Sequence, residues 1–114
     1  MEDCLFCKIV RGEIPCQKVF ENDKVLAFLD INPVNPGHTL VVPKNHCRNI
    51  LDMPEADVAP LYQAAKKVAV AVKEGVEAAG VNVAMNNEPA SGQVVYHAHV
   101  HIIPRHENDG LQLW

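Results

Sequence analysis

The sequence lacks the features that mark secreted, membrane-spanning and nucleic-acid-binding proteins. Its apolar runs fall short of the roughly 20 residues that cross a bilayer, and its acidic start has neither the basic nor the apolar part of a signal peptide. Blocks of lysine or arginine are absent, and the net charge of −4 gives no general attraction to polyanions. We therefore expect a cytoplasmic protein with no membrane or nucleic-acid partner, in which local groups hold any phosphate ligand.

Repeats and low-complexity tracts are also absent, which favours one compact unit. The chain of 114 residues suits a single domain over 1–114, and its hydrophobic content of 48% supplies a core that needs no disulfides. Without a secretory signal, the pair Cys4-x-x-Cys7 favours a metal or redox motif over disulfide formation. Cys16 and Cys47 are expected to be ordinary buried or half-buried side chains.

What is present is a run of three histidines spaced two residues apart. His97, His99 and His101 alternate with apolar residues, and the run ends in further apolar residues. Because successive side chains of an extended chain point to opposite faces, this spacing places the imidazoles on one face of a strand. A solvated surface strand is the alternative, but the run contains no Lys, Glu or Ser. Histidine acts near neutral pH as nucleophile, proton carrier or metal ligand, so the face indicates a functional site.

The rest of the pattern predicts short antiparallel strands and a short helix. A turn at Asn22 and Asp23 separates the two strands of a hairpin, and proline and glycine residues bound a third strand. The predicted elements are a helix over 4–10 and strands over 19–21, 24–31, 39–42, 81–85 and 97–103, with a loop over 86–92.

The longest pattern is an amphipathic helix over 57–79, whose apolar residues recur every three to four positions. Asp57 is the expected N-cap, Pro60 a first-turn proline and Gly80 the C-terminal cap. The helix needs an apolar sheet face to cover its stripe, and the residues between the histidines supply part of that face. We therefore predict a two-layer α+β domain in which the histidines face away from the helix.

The spacing of Cys4 and Cys7 brings two thiols within one helical turn, so both can reach one point. Two cysteines and two histidines are a standard tetrahedral set for structural zinc. Outside the triad, His38, His46 and His106 are available as further ligands. From the residues alone, two unligated cysteines and a redox pair remain alternatives, although no βα turn of the thioredoxin type precedes the pair.

Further segments surround these motifs in a fixed order. They are Cys4-x-x-Cys7-Lys8-Ile9, Phe28-Leu29-Asp30-Ile31, the stretch from Pro36 to His46, Asn86-Asn87, and the stretch from Ser91 to Tyr96 that leads into the triad. In order and spacing they resemble the histidine triad (HIT) family, in particular its HINT-like bacterial branch, over essentially the whole chain. The resemblance implies the HIT fold: an antiparallel sheet with one long helix packed on it, a short N-terminal helix, and a sheet that continues across a homodimer.

The resemblance also implies cleavage at the α-phosphate of purine nucleoside phosphoramidates or related adenylates, with release of AMP. His99 occupies the position of the catalytic nucleophile, which forms a nucleotidyl-histidine that water then hydrolyses. A neutral imidazole approaches an anionic phosphate without the repulsion that a carboxylate meets. His101 occupies the position of a second catalytic histidine beside the phosphate.

By the same resemblance, the first triad histidine belongs to a metal site. Cys4, Cys7, His46 and His97 occupy the positions that bind structural Zn²⁺ in relatives with this CxxC pair. The metal is expected to join the catalytic strand to the first helix and to the loop of His46. Some relatives lack the cysteines, so the chemistry itself does not require zinc.

The nucleoside is expected in a cleft between the first helix, the hairpin and the triad. Asp30 accepts hydrogen bonds from the ribose in this interpretation, while a turn-forming aspartate is the alternative. Asn87 and Gln93 are expected to contact the phosphate or leaving group, together with backbone N–H groups of the adjacent loop. The predicted nucleotide-binding residues are Phe6, Ile9, Ile14, Phe28, Asp30, Ile31, Asn87, Gly92, Gln93, Val94, His99 and His101. Core packing is the favoured alternative for Phe6, Phe28 and Ile31.

The leaving group is not fixed by the sequence. Val94 stands where many eukaryotic relatives have a Ser or Thr that contacts the phosphate, so a side-chain donor is missing. Trp114 ends the chain, and in related dimers the C-terminal segment reaches toward the partner's active site. A dinucleoside polyphosphate hydrolase and a nucleotide-binding regulatory protein with incidental turnover therefore stay as alternatives.

Overall fold

A five-stranded antiparallel sheet forms the centre of the computed structural model, which describes residues 3–112. The strands are β1 (Lys18–Glu21), β2 (Val25–Leu29), β3 (Thr39–Pro43), β4 (Gly80–Ala84) and β5 (Val100–Arg105), in the spatial order β1-β2-β3-β5-β4. The helices are α1 (Leu5–Val10) and α2 (Glu55–Gly75), and a 3-10 turn spans Pro89–Ser91. Trp114 lies outside the described residues, so the role of the tail stays a prediction.

The sheet is covered on both faces because both sets of alternating side chains are largely apolar. On one face α2 packs over the sheet, with Leu61 and Val68 against Val41 and Val100 in one buried cluster. On the other face Phe6 of α1 belongs to a smaller cluster. Neither helix within residues 3–112 has the length and apolar character needed to cross a bilayer. The predicted α+β arrangement is confirmed.

The N-terminal end of α2 corrects two details of the prediction. Pro54 is the N-cap, and Asp57 lies inside the first turn, where it is 7% exposed. Its carboxylate accepts a long hydrogen bond of 3.4 Å from the side chain of Asn45 and lies near the positive end of the helix dipole. Pro60 falls in the second turn, where its missing N–H removes one hydrogen bond of the helix.

The C-terminal end of α2 comes four residues earlier than predicted, at Gly75. Val76 is the C-cap, and Glu77 follows with a left-handed φ of 53°. The N–H of Ala78 donates to the carbonyl of Lys73 at 2.9 Å, which closes a Schellman-type end. The prediction of Gly80 as cap was wrong because a glutamate takes the left-handed position, and Gly80 begins β4 instead.

Strand β5 is displaced from the predicted strand over 97–103. His97 and His99 precede it, because the pairing with β3 ends at Val100 opposite Val41. The alternation of faces nevertheless extends to these residues: Ala98 lies in the cluster under α2, whereas both histidine rings contact Phe6 on the other face. The predicted orientation of the histidines, away from α2, is confirmed.

Candidate active site and metal centre

Four ligand atoms converge where α1 begins. Cys4 is the N-cap of α1 and its Sγ accepts the N–H of Cys7 at 3.3 Å, which brings the two thiols together. Nδ1 of His97 lies 3.4 Å from Sγ of Cys4 and 3.5 Å from Sγ of Cys7, and Nδ1 of His46 lies 3.3 Å from Sγ of Cys7. We call these four residues the metal cluster. His38 and His106, the other candidates, are not part of it.

The sulfur–nitrogen distances in the metal cluster match those that a tetrahedral metal ion requires. Tetrahedral zinc with bonds of about 2.3 Å to sulfur and 2.0–2.1 Å to nitrogen places sulfur and nitrogen about 3.5 Å apart. Nε2–H of His97 donates to the carbonyl of Pro43 at 2.8 Å, which leaves the Nδ1 lone pair directed at the thiols. All four cysteines of the chain, within the described range, are free of disulfides. The four residues could therefore hold a metal ion.

His99 is held in one tautomer beside this cluster. Its Nδ1–H donates to the carbonyl of His97 at 2.8 Å, so the lone pair of the neutral ring is on Nε2. The side chain is 6% exposed, and burial lowers the pKa of His99 below its ordinary value. A buried neutral imidazole with a free Nε2 lone pair is suited to act as a nucleophile.

His101 is held in the opposite tautomer by a chain of hydrogen bonds. The backbone N–H of Val34 donates to Nδ1 of His38 at 3.1 Å, so the proton of that ring is on Nε2. This Nε2–H donates to Nδ1 of His101 at 3.0 Å, which leaves a proton on Nε2 of His101. Burial lowers the pKa of His38 and, together with the neighbouring histidines, lowers the pKa of His101 to about 4. His101 thus presents a neutral N–H donor.

His38 has no catalytic role in the sequence-based prediction, which considered it only as a spare metal ligand. His38 lies in the segment from Pro36 to His46, but no local sequence pattern indicates that it meets His101 of the paired strand β5. Ligand atoms of Asp30, His38 and His101 lie within 4.8 Å of one another. We call these three the cleft cluster. A metal bound to Nε2 of His38 would move the ring proton to Nδ1. Nδ1 could then not accept the hydrogen bond from the N–H of Val34, so the cleft cluster does not fit a metal.

Asp30 divides its two carboxylate oxygens between a turn and the cleft. Oδ1 accepts the N–H of Asn32 at 2.9 Å, as a turn-forming aspartate does. Oδ2 lies 3.7 Å from Nε2 of His38. The turn alternative therefore holds for one oxygen, while the other remains beside the cleft.

The residues predicted to wall the base differ in burial. Phe6 and Phe28 are 4% and 3% exposed and meet edge to face, with ring centroids 5.5 Å apart. Both rings belong to the core, in agreement with the alternative of core packing. Phe6 also contacts the ring of His99. Ile9 and Ile14 are half-buried, whereas Ile31 is 90% exposed and does not belong to the core.

The loop before the triad uses its polar side chains within the protein. Asn87 accepts from the N–H of Ile50 at 2.9 Å and donates to the carbonyl of Met85 at 3.3 Å. The backbone N–H groups of Gly92 and Gln93 donate to carbonyls of the same loop. Among the described residues, the N–H of Val94 has no hydrogen-bond partner, as is also the case for Val95 and Tyr96, so it is one of the donors of this stretch left for an anion.

The fold and these two clusters define a class: a small α+β protein with neutral histidines in a cleft beside a site that could hold a metal. The chain belongs to the HIT domain family, whose domain matches residues 11–108. The predicted family and the predicted HIT fold of the single chain are confirmed, and the continuation of the sheet across a homodimer stays a prediction.

Relatives with hydrolase names support this placement. Adenosine 5'-monophosphoramidase hnt1 of Schizosaccharomyces pombe is 44% identical over 95% of this chain and 79% of its own length. Adenylylsulfatase HINT3 of Arabidopsis thaliana is 42% identical over 96% of this chain and 55% of its own length.

Solved structures agree on the fold. A crystal structure from Streptococcus mutans has a TM-score of 0.96 at 49% identity, covering 100% of this chain and 73% of that chain. A zinc-bound histidine triad family protein from Mycobacterium smegmatis has a TM-score of 0.92 at 39% identity, covering 98% and 81%.

Proposed function

We propose that this protein is a nucleotide hydrolase that releases AMP from purine nucleoside phosphoramidates or related adenylates through a nucleotidyl-histidine. The observation that carries the proposal is the pair of fixed neutral tautomers, Nε2 lone pair on His99 and Nε2–H on His101. A nucleophile and a neutral donor side by side are what attack on a phosphate anion requires. The names of the two hydrolase relatives support the same chemistry.

In the first step, Nε2 of His99 attacks the α-phosphorus. A bond forms between Nε2 and phosphorus, and the bond from phosphorus to the leaving nitrogen or oxygen breaks. The leaving group takes the electron pair, and a leaving nitrogen also takes one proton from solvent. The charge on the phosphate oxygens is stabilised by Nε2–H of His101 and by the N–H of Val94. The carbonyl of His97 stabilises the positive charge that develops on the ring of His99.

In the second step, water attacks the phosphorus of the nucleotidyl-histidine. The bond to Nε2 breaks, its electron pair returns to His99, and AMP leaves with the oxygen from water. The proton that the water loses passes to solvent, which balances the proton taken up with a leaving nitrogen in the first step. Asp30 accepts hydrogen bonds from the ribose hydroxyls through Oδ2, and Phe6, Ile9 and Ile14 line the base site. Ile31 contacts the base only if its exposed side chain folds over it. Phe28 contributes to the base site by packing against Phe6.

The metal cluster is proposed to hold a structural Zn²⁺. The cation would stabilise two thiolates and so fasten α1, the loop of His46 and the segment of His97 to one another. The chain's own contribution is to present His97 with its carbonyl toward His99 and its Nε2–H toward Pro43. Because the site needs reduced thiols, we propose a cytoplasmic location.

We further propose that the protein is a homodimer whose sheet continues through β4. This strand lies at the edge of the sheet, so one side of its backbone is available for pairing, and Val83 on it is 46% exposed. Native mass spectrometry should give twice the chain mass, and a monomer mass at micromolar concentration would contradict the proposal.

The proposed activity is tested with His99→Asn. An asparagine keeps a donor for the carbonyl of His97 but provides no nucleophilic lone pair, so release of AMP from adenosine phosphoramidate should fall by at least about 1,000-fold. Metal content and unfolding temperature should remain those of the wild type. Undiminished release would contradict the assignment of His99.

A substrate panel separates the alternatives. Adenosine phosphoramidate, adenylyl sulfate and diadenosine polyphosphates are compared by kcat/KM on the wild type. Preference for the diadenosine compounds would identify the polyphosphate hydrolase. Micromolar binding of AMP with no turnover of any of them would identify a nucleotide-binding protein.

A further inference from the structure

We infer that Asn49 is a positioning residue for the phosphate side of the cleft and acts through the side chain of Gln93; this rests on the proposed function. Both side chains are polar, yet Asn49 is 1% exposed and Gln93 2% exposed. Buried amides persist when their hydrogen bonds are made, so their partners identify the segments that they hold together.

The carboxamide of Gln93 is fully used by the protein. Its Oε1 accepts from the N–H of Glu88 at 2.7 Å and from Nδ2 of Asn49 at 3.1 Å. Its Nε2 donates to the carbonyls of Arg48 at 2.7 Å and Val95 at 3.0 Å. Two lone pairs and two N–H groups are the whole capacity of a primary amide. Gln93 therefore joins the segment before the triad to the loop after β3, with no donor left for a phosphate.

Asn49 makes the hydrogen bonds on the other side of this contact, in the loop after β3. Its Nδ2 donates to Oε2 of Glu88 at 2.6 Å as well as to Gln93, and its Oδ1 accepts the N–H of Leu51 at 2.9 Å. The guanidinium of Arg48 donates to both oxygens of the Glu88 carboxylate, each at 2.9 Å. The hydrogen bonds from Arg48 and Asn49, together with the charge of Arg48, hold the pKa of the Glu88 carboxyl below its ordinary value.

The backbone of Glu88 has a conformation that this residue type does not favour. Its backbone has φ 78° and ψ 155°, a region that residues other than glycine rarely adopt. Such a conformation persists only where surrounding interactions determine it. Here Asn49 and Arg48 hold the Glu88 side chain and Gln93 accepts its N–H, while Ser91 and the Gln93 backbone donate to its carbonyl. Loss of Asn49 should therefore release the loop toward a conformation that suits Glu88 better.

The consequence for the cleft follows from the position of Val94. Its free N–H lies between Gln93, whose side chain is locked, and Val95, whose carbonyl accepts from that side chain. The direction of the Val94 N–H is thus set by Gln93, and Gln93 is set by Asn49. A shift of about 1 Å in such a donor can lower a rate by about 100-fold.

The test compares Asn49→Ala, Gln93→Ala and the double variant with Asn22→Ala as matched control. Oδ1 of Asn22 also accepts two backbone N–H groups, each at 2.9 Å, but in the β1–β2 turn. We measure kcat and KM with adenosine phosphoramidate and adenylyl sulfate, and hydrogen exchange of residues 86–96. Gln93→Glu keeps the size of the side chain and one acceptor oxygen. Its second oxygen replaces the amide NH2 group and cannot donate to the two backbone carbonyls. If either alanine variant fails to fold, hydrogen exchange is measured on Gln93→Glu.

Each single variant is expected to lower kcat/KM by about 10- to 100-fold, by the same factor for both substrates, because the leaving group is not contacted. The double variant should be no worse than the singles, since the two residues act as one unit. Exchange should accelerate over 86–96 in Asn49→Ala, Gln93→Ala and Gln93→Glu, and Asn22→Ala should leave the kinetics and this exchange unchanged.

Two results would overturn the inference. One is unchanged exchange over 86–96 in Asn49→Ala or, if that variant does not fold, in Gln93→Glu. The other is a leaving-group-dependent loss in Gln93→Ala with none in Asn49→Ala, which would mean that Gln93 contacts the ligand directly. Wild-type protein without turnover would refute the proposed activity instead, and the exchange experiment would still decide the role of Asn49.

Discussion

The metal cluster and the cleft cluster contain similar side chains but are connected to the backbone in opposite ways. In the metal cluster, His97 donates to the carbonyl of Pro43 and turns a lone pair toward the thiols. In the cleft cluster, the N–H of Val34 donates to His38, so a proton rather than a lone pair faces His101. Whether the backbone offers a carbonyl or an N–H therefore decides if a histidine presents a lone pair or a proton to its neighbours.

The largest effect is expected from breaking the metal cluster. Cys7→Ser removes a thiolate that lies between His46 and His97, so the purified protein should contain no stoichiometric zinc. Loss of a structural metal should lower the unfolding temperature by about 10 °C or more. Elemental analysis and thermal unfolding measure the two results, with Cys16→Ser, a half-buried cysteine outside the cluster, as control. Unchanged metal content and stability in Cys7→Ser would contradict the assignment.

Breaking the cleft cluster should instead affect turnover and leave the metal in place. His38→Ala leaves Nδ1 of His101 without its donor, so the Nε2–H of His101 is no longer fixed. We expect kcat to fall by about 10- to 100-fold. Zinc should remain at one ion per chain by elemental analysis. A loss of metal in this variant would show that the two clusters are not separate.

A smaller effect is expected from the acceptor in the cleft cluster. Asp30→Asn keeps Oδ1 for the N–H of Asn32, so the turn survives, but it removes the charge offered to the ribose. AMP should bind about 10-fold more weakly by calorimetry, in line with the loss of a charge-assisted hydrogen bond. With 2',3'-dideoxy-AMP the two proteins should bind alike, and an equal loss with both ligands would contradict contact with the ribose.

The smallest effect is the contribution of the cleft cluster to acid sensitivity. Because the pKa of His101 is about 4 when folded and about 6.5 when unfolded, the unfolded chain takes up the proton first as the pH falls. The free energy of unfolding should therefore decrease between pH 6.5 and pH 4. Relative to His101→Gln, wild-type stability should drop by about 1 kcal/mol from pH 7 to pH 5.5, measured by urea unfolding. A pH-independent difference would contradict this account.

Local spacing in the sequence predicts those features that depend on neighbours along the chain. The alternation at His97, His99 and His101 predicts their common face, and the Cys4 and Cys7 spacing predicts two convergent thiols; both follow from backbone periodicity. The long helix follows in the same way from its apolar stripe. Its C-terminal end comes earlier than predicted because Glu77 takes a left-handed conformation that is typical of glycine.

Features that depend on distant partners were not predictable in this way. His38 and His101 are separated by 63 positions and meet only because β3 and β5 pair. The carboxamide of Gln93 is likewise directed by Asn49 and Arg48, 44 and 45 positions away. Family resemblance identifies His101 and Gln93 as site residues, but it does not identify Asn49 or Arg48. The choice between contacting a ligand and positioning a loop requires the three-dimensional partners.

The alternation across residues 97–101 also restricts how the chain can change in length. Insertion or deletion of one residue there would exchange the two faces, so that an imidazole would enter the apolar layer under α2 while Ala98 or Val100 entered the cleft. The proposed metal ligand and the proposed nucleophile would be lost in one event. This segment therefore does not tolerate a change in length, whereas the exposed turn at 22–24 can accept extra residues.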